Sequence, residues 1–81
     1  FVTINSSAGL GHDAVVGDGC TLSAHADVMG GARLERGALL GSHAAVLPGA
    51  AVGEFATVGA GTVVLRRVKS ETTVFGVPAR E

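Results

Sequence analysis

The sequence predicts an all-β protein, specifically a parallel β-helix built from six-residue repeats. Three observations carry this prediction. Every sixth residue over 61 positions is aliphatic, a small or β-branched residue follows four positions later, and glycine recurs at the second or fourth place of most repeats. A helix needs apolar spacing near 3.6 residues and a single strand needs 2, so neither fits as a long element. The aliphatic positions are Ile4, Leu10, Val16, Leu22, Val28, Leu34, Leu40, Val46, Val52, Val58 and Val64.

Six residues suit one short extended face followed by one tight turn. The aliphatic side chain then points inward, the small residue lies near the corner, and glycine occupies turn positions where φ is positive. Three faces of six residues close a triangular coil of 18, and successive coils stack as parallel strands about 4.8 Å apart. We therefore predict three to four coils over residues 1–69. The register ends after Val64, because Ser70 holds the next aliphatic position, so we assign residues 70–81 to a C-terminal capping tail.

Composition narrows the possible functions. The formal net charge is −1, the six Lys and Arg are scattered apart from Arg66, Arg67 and Lys69, and Trp and Tyr are absent. A nucleic-acid-binding surface would need a basic stripe or a stacking platform, so we predict no nucleic-acid partner. The sequence contains no apolar run long enough to cross a membrane and no signal-peptide pattern, so we expect a cytoplasmic protein that binds no membrane.

Two further patterns concern packing and assembly. Cys20 is the single cysteine and holds an inward small position, which predicts a buried structural thiol. Six large apolar residues fall at outward positions, which predicts a self-association surface: Val15, Met29, Leu39, Leu47, Val63 and Leu65. Because Phe1 leads straight into the repeat, we interpret the sequence as part of a longer protein or as one whose first coil pairs with another chain.

Three segments resemble one family. Residues 5–13 read NSSAGLGHD, residues 59–61 read Gly-Ala-Gly, and residues 76–80 read Gly-Val-Pro-Ala-Arg. Together with the repeat they resemble the hexapeptide-repeat acyltransferases, in particular the group of sialic acid O-acetyltransferases and bacillosamine-type nucleotide-sugar N-acetyltransferases. The resemblance covers nearly the whole chain. It implies a left-handed β-helix, assembly into homotrimers with the prisms side by side, and acetyl-CoA as the acyl donor.

The resemblance also implies catalytic roles. By the His-Asp match, His12 would be the general base that takes a proton from the acceptor amine or hydroxyl, with Asp13 as its neighbouring carboxylate. An imidazole is suited to proton abstraction near neutral pH. Gly30 follows His12 by the length of one predicted coil and so lies above it at the same corner, where its backbone amide could stabilise the oxyanion of the thioester. Two positions depart from the family: Gly11 replaces a glutamate, and Thr21 replaces a second histidine.

The resemblance places the acetyl-CoA donor along the later coils, in a groove between subunits. The implied cofactor-binding residues share exposed backbone groups or positive charge: Gly30, Gly41, Gly59, Ala60, Gly61, Arg66 and Arg67. Guanidinium groups are the natural partners of phosphates, so Arg66 and Arg67 are candidates for the phosphates of coenzyme A.

Three functions stay open. The first is an acetyl-CoA-dependent acetyltransferase that acts on an amino or hydroxyl group of a sugar or nucleotide-sugar. The second is a non-catalytic β-helix that serves as a structural or oligomerisation module. The third is a zinc enzyme of the γ-carbonic anhydrase type. We predict no metal site, because His12, His25 and His43 are all far apart in the sequence, whereas those enzymes use a closely spaced pair; a site shared between subunits stays open.

Overall fold

A computed structural model describes residues 2–4 and 8–80 of the chain. Asn5, Ser6 and Ser7, which open the motif before His12, lie outside the described residues. The described part is a β-solenoid of about four turns with about 18 residues per turn, which confirms the predicted fold class. Its residues include no helix of the length and apolarity needed to cross a membrane.

Thirteen two-residue strands make up the described solenoid. In chain order they are β1 (Thr3–Ile4), β2 (Gly9–Leu10), β3 (Val15–Val16), β4 (Thr21–Leu22), β5 (Asp27–Val28), β6 (Arg33–Leu34), β7 (Leu39–Leu40), β8 (Ala45–Val46), β9 (Ala51–Val52), β10 (Thr57–Val58), β11 (Val63–Val64), β12 (Arg67–Val68) and β13 (Thr73–Val74). Every third strand belongs to the same parallel sheet. Sheet A holds β1-β4-β7-β10-β13, sheet B holds β2-β5-β8-β11, and sheet C holds β3-β6-β9-β12.

The repeat shortens once, near its end. Most strand pairs join residues 18 positions apart, for example Thr21 with Leu39. After β11, however, Arg67 pairs with Ala51 and Thr73 with Thr57, each 16 positions apart. The corner between β11 and β12 therefore lacks two residues, and Val68 takes the inward position that the six-residue period gives to Ser70. The repeat continues through β13 after this shift.

The core follows the two size classes of the repeat. One aliphatic side chain from each strand points inward, and those from Leu22 to Val64 are at most 1% exposed, whereas Ile4 and Leu10 at the lower end of the solenoid remain exposed. Alanines, Cys20 and Thr62 fill the space beside the corners. The thiol of Cys20 is 1% exposed and donates a hydrogen bond to the Glu35 carbonyl at 3.1 Å, which confirms its predicted burial.

The corners of the solenoid are four-residue turns with a common geometry. In every described corner except the bend at 65–66 the third residue has positive φ, as in Gly31 at 71°. In most of these turns the amide of the fourth residue donates to the carbonyl of the first, as from Ala32 to Met29 at 3.0 Å. This is the pattern of a type II turn, which favours glycine at its third position. Five non-glycine residues also adopt positive φ: Asp13, His25, His43, Phe55 and Glu71.

The C-terminal segment folds over sheet B. Phe75 and Arg80 form an antiparallel bridge, and the turn between them includes a cis peptide bond before Pro78. The Val63 amide donates to the Gly76 carbonyl at 3.0 Å, and the Ala79 amide donates to the Val63 carbonyl at 2.9 Å. This hairpin therefore supplies hydrogen-bond partners to the upper edge of β11, which pairs with β8 only on its other side.

Candidate functional site

The candidate residues lie at the corners where the chain passes from one sheet to the next. We call these corners BC, CA and AB after the sheets they join. Corner BC contains the turns centred on residues 12–13, 30–31 and 48–49 and the bend at 65–66. Corner CA contains 18–19, 36–37, 54–55 and 70–71, and corner AB contains 24–25, 42–43 and 60–61.

Corner BC brings the predicted base and the predicted oxyanion donor together. The Gly31 amide donates to the His12 carbonyl at 3.0 Å, so the Gly30-Gly31 turn lies directly above the His12-Asp13 turn. A Cβ at Gly30 would lie 3.2 Å from the same carbonyl, which shows how closely the two turns approach. The spacing of one coil in the sequence therefore corresponds to direct backbone contact between the two turns.

Beneath Gly30, the absence of a side chain at Gly11 determines how closely the two turns stack. A Cβ at Gly11 would lie 2.5 Å from the Gly30 amide nitrogen, far inside normal van der Waals distance. A side chain at this position would force the Gly30 amide to move. In the sequence, Gly11 was noted only because the family has a glutamate at this position. The close approach of Gly11 to the Gly30 nitrogen shows that the missing side chain at Gly11 fixes the position of the Gly30 amide.

The His12 side chain is 96% exposed and that of Asp13 is 79% exposed. Their closest atoms, Nε2 of His12 and Oδ2 of Asp13, are 3.6 Å apart, which is too long for a hydrogen bond. Water screens such an exposed pair strongly, so Asp13 orients the ring only weakly in the isolated chain. The imidazole is accordingly accessible to an incoming acceptor.

Within the described part of the chain, the Gly30 amide is free to donate a hydrogen bond to an external acceptor. Among the described residues it has no hydrogen-bond acceptor, while the Gly30 carbonyl accepts a bond from the Gly49 amide at 3.3 Å. The amides of Ser42 and Ala60, at the same turn position of corner AB, also lack a described acceptor. Free amides at this position are therefore a property of the turn, and proximity to His12 is what distinguishes Gly30.

The predicted donor-binding residues divide between two corners. Gly41 and the segment Gly59-Ala60-Gly61 lie at corner AB, whereas Gly30 and Arg66 lie at corner BC. The two corners of one coil are separated by the width of sheet B, about 15–20 Å for five to six extended residues. A single chain therefore does not bring all the predicted residues into one groove.

At the upper end of corner BC, a pocket of about 340 Å³ opens beside the two predicted arginines. Its lining consists of Val64, Leu65, Arg66, Arg67, Val68, Pro78 and Ala79. The pocket coincides with the bend where the repeat lacks two residues and with the C-terminal hairpin. Pro78 and Ala79 were recognised in the sequence only as part of a tail motif; their place in this pocket depends on the folding of that tail.

His25 and His43 occupy corner AB, away from His12. Their rings are stacked with centroids 4.8 Å apart and planes 12° from parallel. The described residues contain no group of three or more His, Cys, Asp and Glu side chains able to hold a metal ion. Thr21 lies in β4 and is half-buried.

Four of the six apolar residues that the sequence places at outward positions lie on or beside sheet B. Val63 lies in β11, and Met29, Leu47 and Leu65 follow directly after β5, β8 and β11, while the exposed Asp27 lies on the same sheet in β5. Val15 and Leu39 lie elsewhere, on sheets C and A, and are 49% and 41% exposed. Sheet B lies between corners BC and AB, so its apolar side adjoins both sets of candidate residues.

Comparisons with known proteins agree on the fold. No model of a protein family matches the chain, and no curated protein sequence matches it significantly. Among solved structures, PerB from Caulobacter crescentus, in complex with CoA and GDP-perosamine, has a TM-score of 0.83 and 27% identity over 98% of this chain. The chain covers 53% of PerB, about half its length.

Two further structures are similar at lower identity and support the fold alone. One is the S84C mutant of AntD, an N-acyltransferase from Bacillus cereus, in complex with coenzyme A and a dTDP-linked amino sugar. Its TM-score is 0.77 at 18% identity, and the match covers 98% of this chain and 60% of AntD. The acetyltransferase domain of PglB from Neisseria gonorrhoeae, in complex with acetyl coenzyme A, has a TM-score of 0.64 at 24% identity, covering 98% and 53%. The complexes of these three structures contain CoA or acetyl-CoA, and AntD and PglB are described as an N-acyltransferase and an acetyltransferase domain.

Proposed function

We propose that this chain carries the acetyl-transfer centre of an acetyl-CoA-dependent acetyltransferase whose acceptor is an amino or hydroxyl group of a sugar or nucleotide-sugar. The observation that carries the proposal is the stacking of the Gly30-Gly31 turn on the His12 carbonyl, which joins a potential base to a free amide donor. The likeness to PerB over 98% of the chain supports the same chemistry. We also propose that the protein acts in the cytoplasm, as we expect from the sequence.

In the proposed reaction, His12 removes a proton from the acceptor amine or hydroxyl as its nitrogen or oxygen attacks the thioester carbonyl of acetyl-CoA. The carbonyl oxygen becomes an oxyanion, which the Gly30 amide stabilises by a hydrogen bond. The tetrahedral intermediate then collapses, the carbon–sulfur bond breaks, and the proton held by His12 passes to the departing thiolate. The products are the acetylated acceptor and coenzyme A, without a covalent enzyme intermediate.

The donor would run along corner BC from His12 toward the upper pocket. Three coils separate His12 from Arg66, a distance of about 14 Å at a spacing of about 4.8 Å per coil. Arg66 and Arg67 line that pocket and are exposed, so their guanidinium groups can bind the phosphates of the donor.

A second copy of the chain would complete the groove. Because Gly41 and Gly61 lie at corner AB of the same chain, we propose that they contribute from a neighbouring subunit in a homotrimer. The apolar side of sheet B, with Met29, Leu47 and Leu65, is the surface that would bring the corners of two chains together. This proposal accounts for the division of the predicted residues between two corners.

One experiment tests the proposed function directly. The purified chain is titrated calorimetrically with acetyl-CoA while its oligomeric mass is measured, and transfer to nucleotide-linked amino sugars is followed by release of the coenzyme A thiol. We expect saturable binding near one donor per chain and thiol release that His12→Asn abolishes. His25→Asn replaces another exposed corner histidine and is the matched control, which should retain transfer. Full activity of the His12→Asn variant would overturn the assignment of the base.

The non-catalytic alternative also has an observation in its favour, the 96% exposure of His12 without a hydrogen-bonded partner. In that alternative the solenoid is an oligomerisation module that uses the apolar side of sheet B. A stable oligomer that binds no acetyl-CoA would favour it over the proposed enzyme.

A further inference from the structure

The most distinct feature outside the proposed acyl-transfer centre is the pair of imidazoles at corner AB. His25 and His43 hold equivalent turn positions on adjacent coils, both with φ of 61°. The His43 amide donates to the Ala24 carbonyl at 3.1 Å, so the backbone sets the spacing of the two residues. Both side chains are exposed, and within the described residues neither ring has a hydrogen bond or ion pair.

No metal site is predicted from the sequence, but the stacking of His25 on His43 brings two imidazoles together. We propose that His25 and His43 together bind a late first-row divalent cation such as Cu²⁺ or Zn²⁺. Neutral imidazole is a preferred ligand of these ions. Metal–nitrogen bonds of about 2.0–2.1 Å require the two ligand nitrogens to lie within about 4 Å of each other. The rings are stacked with centroids 4.8 Å apart and planes 12° from parallel, so their nitrogen lone pairs point in parallel directions. Binding therefore requires both exposed rings to rotate out of the stack until one nitrogen of each points at the shared ion, and the backbone spacing of the adjacent coils places the two side chains within that reach.

The site is small and open. No third His, Cys, Asp or Glu side chain joins the pair among the described residues, so water fills the remaining coordination positions. Such a two-histidine site holds an exchangeable ion and differs from a closed structural zinc site, which has four protein ligands. In the same chain it lies across the width of sheet B from His12.

Calorimetric titration of the intact chain with Cu²⁺, Zn²⁺ and Mg²⁺ in a weakly coordinating buffer tests this site. We expect saturable binding near one Cu²⁺ or Zn²⁺ per chain and none of Mg²⁺, which prefers oxygen ligands. His25→Asn and His43→Asn should each weaken binding about a hundredfold, because either change removes one of two linked ligands. Asparagine is suited to these positions since it tolerates positive φ. His12→Asn is the matched control and should bind Cu²⁺ like the unsubstituted chain.

Electron paramagnetic resonance of the Cu²⁺-loaded chain supplies a second readout that needs no variant. We expect hyperfine coupling to two equivalent imidazole nitrogens, reduced to one in either single variant. Coupling to one nitrogen in the unsubstituted chain would overturn the proposal. So would the absence of saturable Cu²⁺ binding, or an equal loss of affinity in the His12→Asn chain.

Discussion

Replacing Gly11 by alanine should disable transfer by displacing a backbone amide, without touching a side chain of the site. The new Cβ would lie 2.5 Å from the Gly30 nitrogen, whereas ordinary contacts begin at 3.4 Å. The two turns must therefore separate by about 0.9 Å (3.4 − 2.5). Oxyanion donors act at about 2.7–3.1 Å, so a donor moved by this amount is lost, at a cost of about 10²–10³ in kcat.

Gly53→Ala provides the matched control for this prediction. Gly53 holds the same turn position at corner CA, and its Cβ would lie 2.5 Å from the Ser70 nitrogen, the same clash in a part of the solenoid remote from His12. Both substitutions should destabilise the fold by a similar amount, about 1–3 kcal/mol. The assay measures kcat by release of the coenzyme A thiol, and unfolding by circular dichroism at a fixed protein concentration.

The two variants decide the role of the Gly30 amide. We expect both to remain folded at the assay temperature and only Gly11→Ala to lose kcat. Unchanged kcat in a folded Gly11→Ala chain would refute the oxyanion role of Gly30. An equal loss of kcat in Gly53→Ala would show that general distortion of the solenoid, rather than displacement of this amide, causes the effect.

Three further predictions concern stability, donor binding and assembly. Leu40→Ala should lower the free energy of unfolding by about 2–5 kcal/mol, because the Leu40 side chain is 0% exposed. Leu10→Ala should lower it by about 0.8–1.5 kcal/mol, because Leu10 is 49% exposed. Urea unfolding measures both values, and equal losses would contradict the burial argument. Arg66→Gln should weaken acetyl-CoA binding most at low salt, as measured by titration at two ionic strengths; identical affinity at both would exclude phosphate contact. Leu47→Glu should reduce the oligomeric mass toward that of one chain, while Leu39→Glu on sheet A should not, as light scattering would show; the reverse result would move the interface to sheet A.

Much of the candidate site was predictable because the coil is periodic. Positions 12 and 30 differ by one coil, as do positions 25 and 43. The contact between His12 and the Gly30-Gly31 turn therefore follows from counting, and so does the stacking of His25 on His43. The close approach of Gly11 to the Gly30 amide was not predictable. It depends on the distance between turns in neighbouring coils, a quantity that no local pattern encodes.

The shortened corner between β11 and β12 was not predictable from the six-residue period. The period of six assigns the inward position to Ser70, but the chain omits two residues after β11 and buries Val68 instead. Burying Val68 in place of Ser70 is favourable, because a buried serine hydroxyl without a hydrogen-bond partner would destabilise the core. The resulting bend, together with the C-terminal hairpin, creates the pocket beside Arg66.

By itself, the sequence determined the solenoid, its inward columns and the vertical stacking of its turns, because the size and spacing of side chains within one repeat are local properties. The tertiary structure decided how closely Gly11 approaches the Gly30 amide and how the last coil closes. The two residues missing after β11 bury Val68, and the resulting bend and the C-terminal hairpin form the pocket beside Arg66. These features depend on contacts between neighbouring coils and on the folding of the tail, whereas the corner at which a residue lies follows from its place in the repeat.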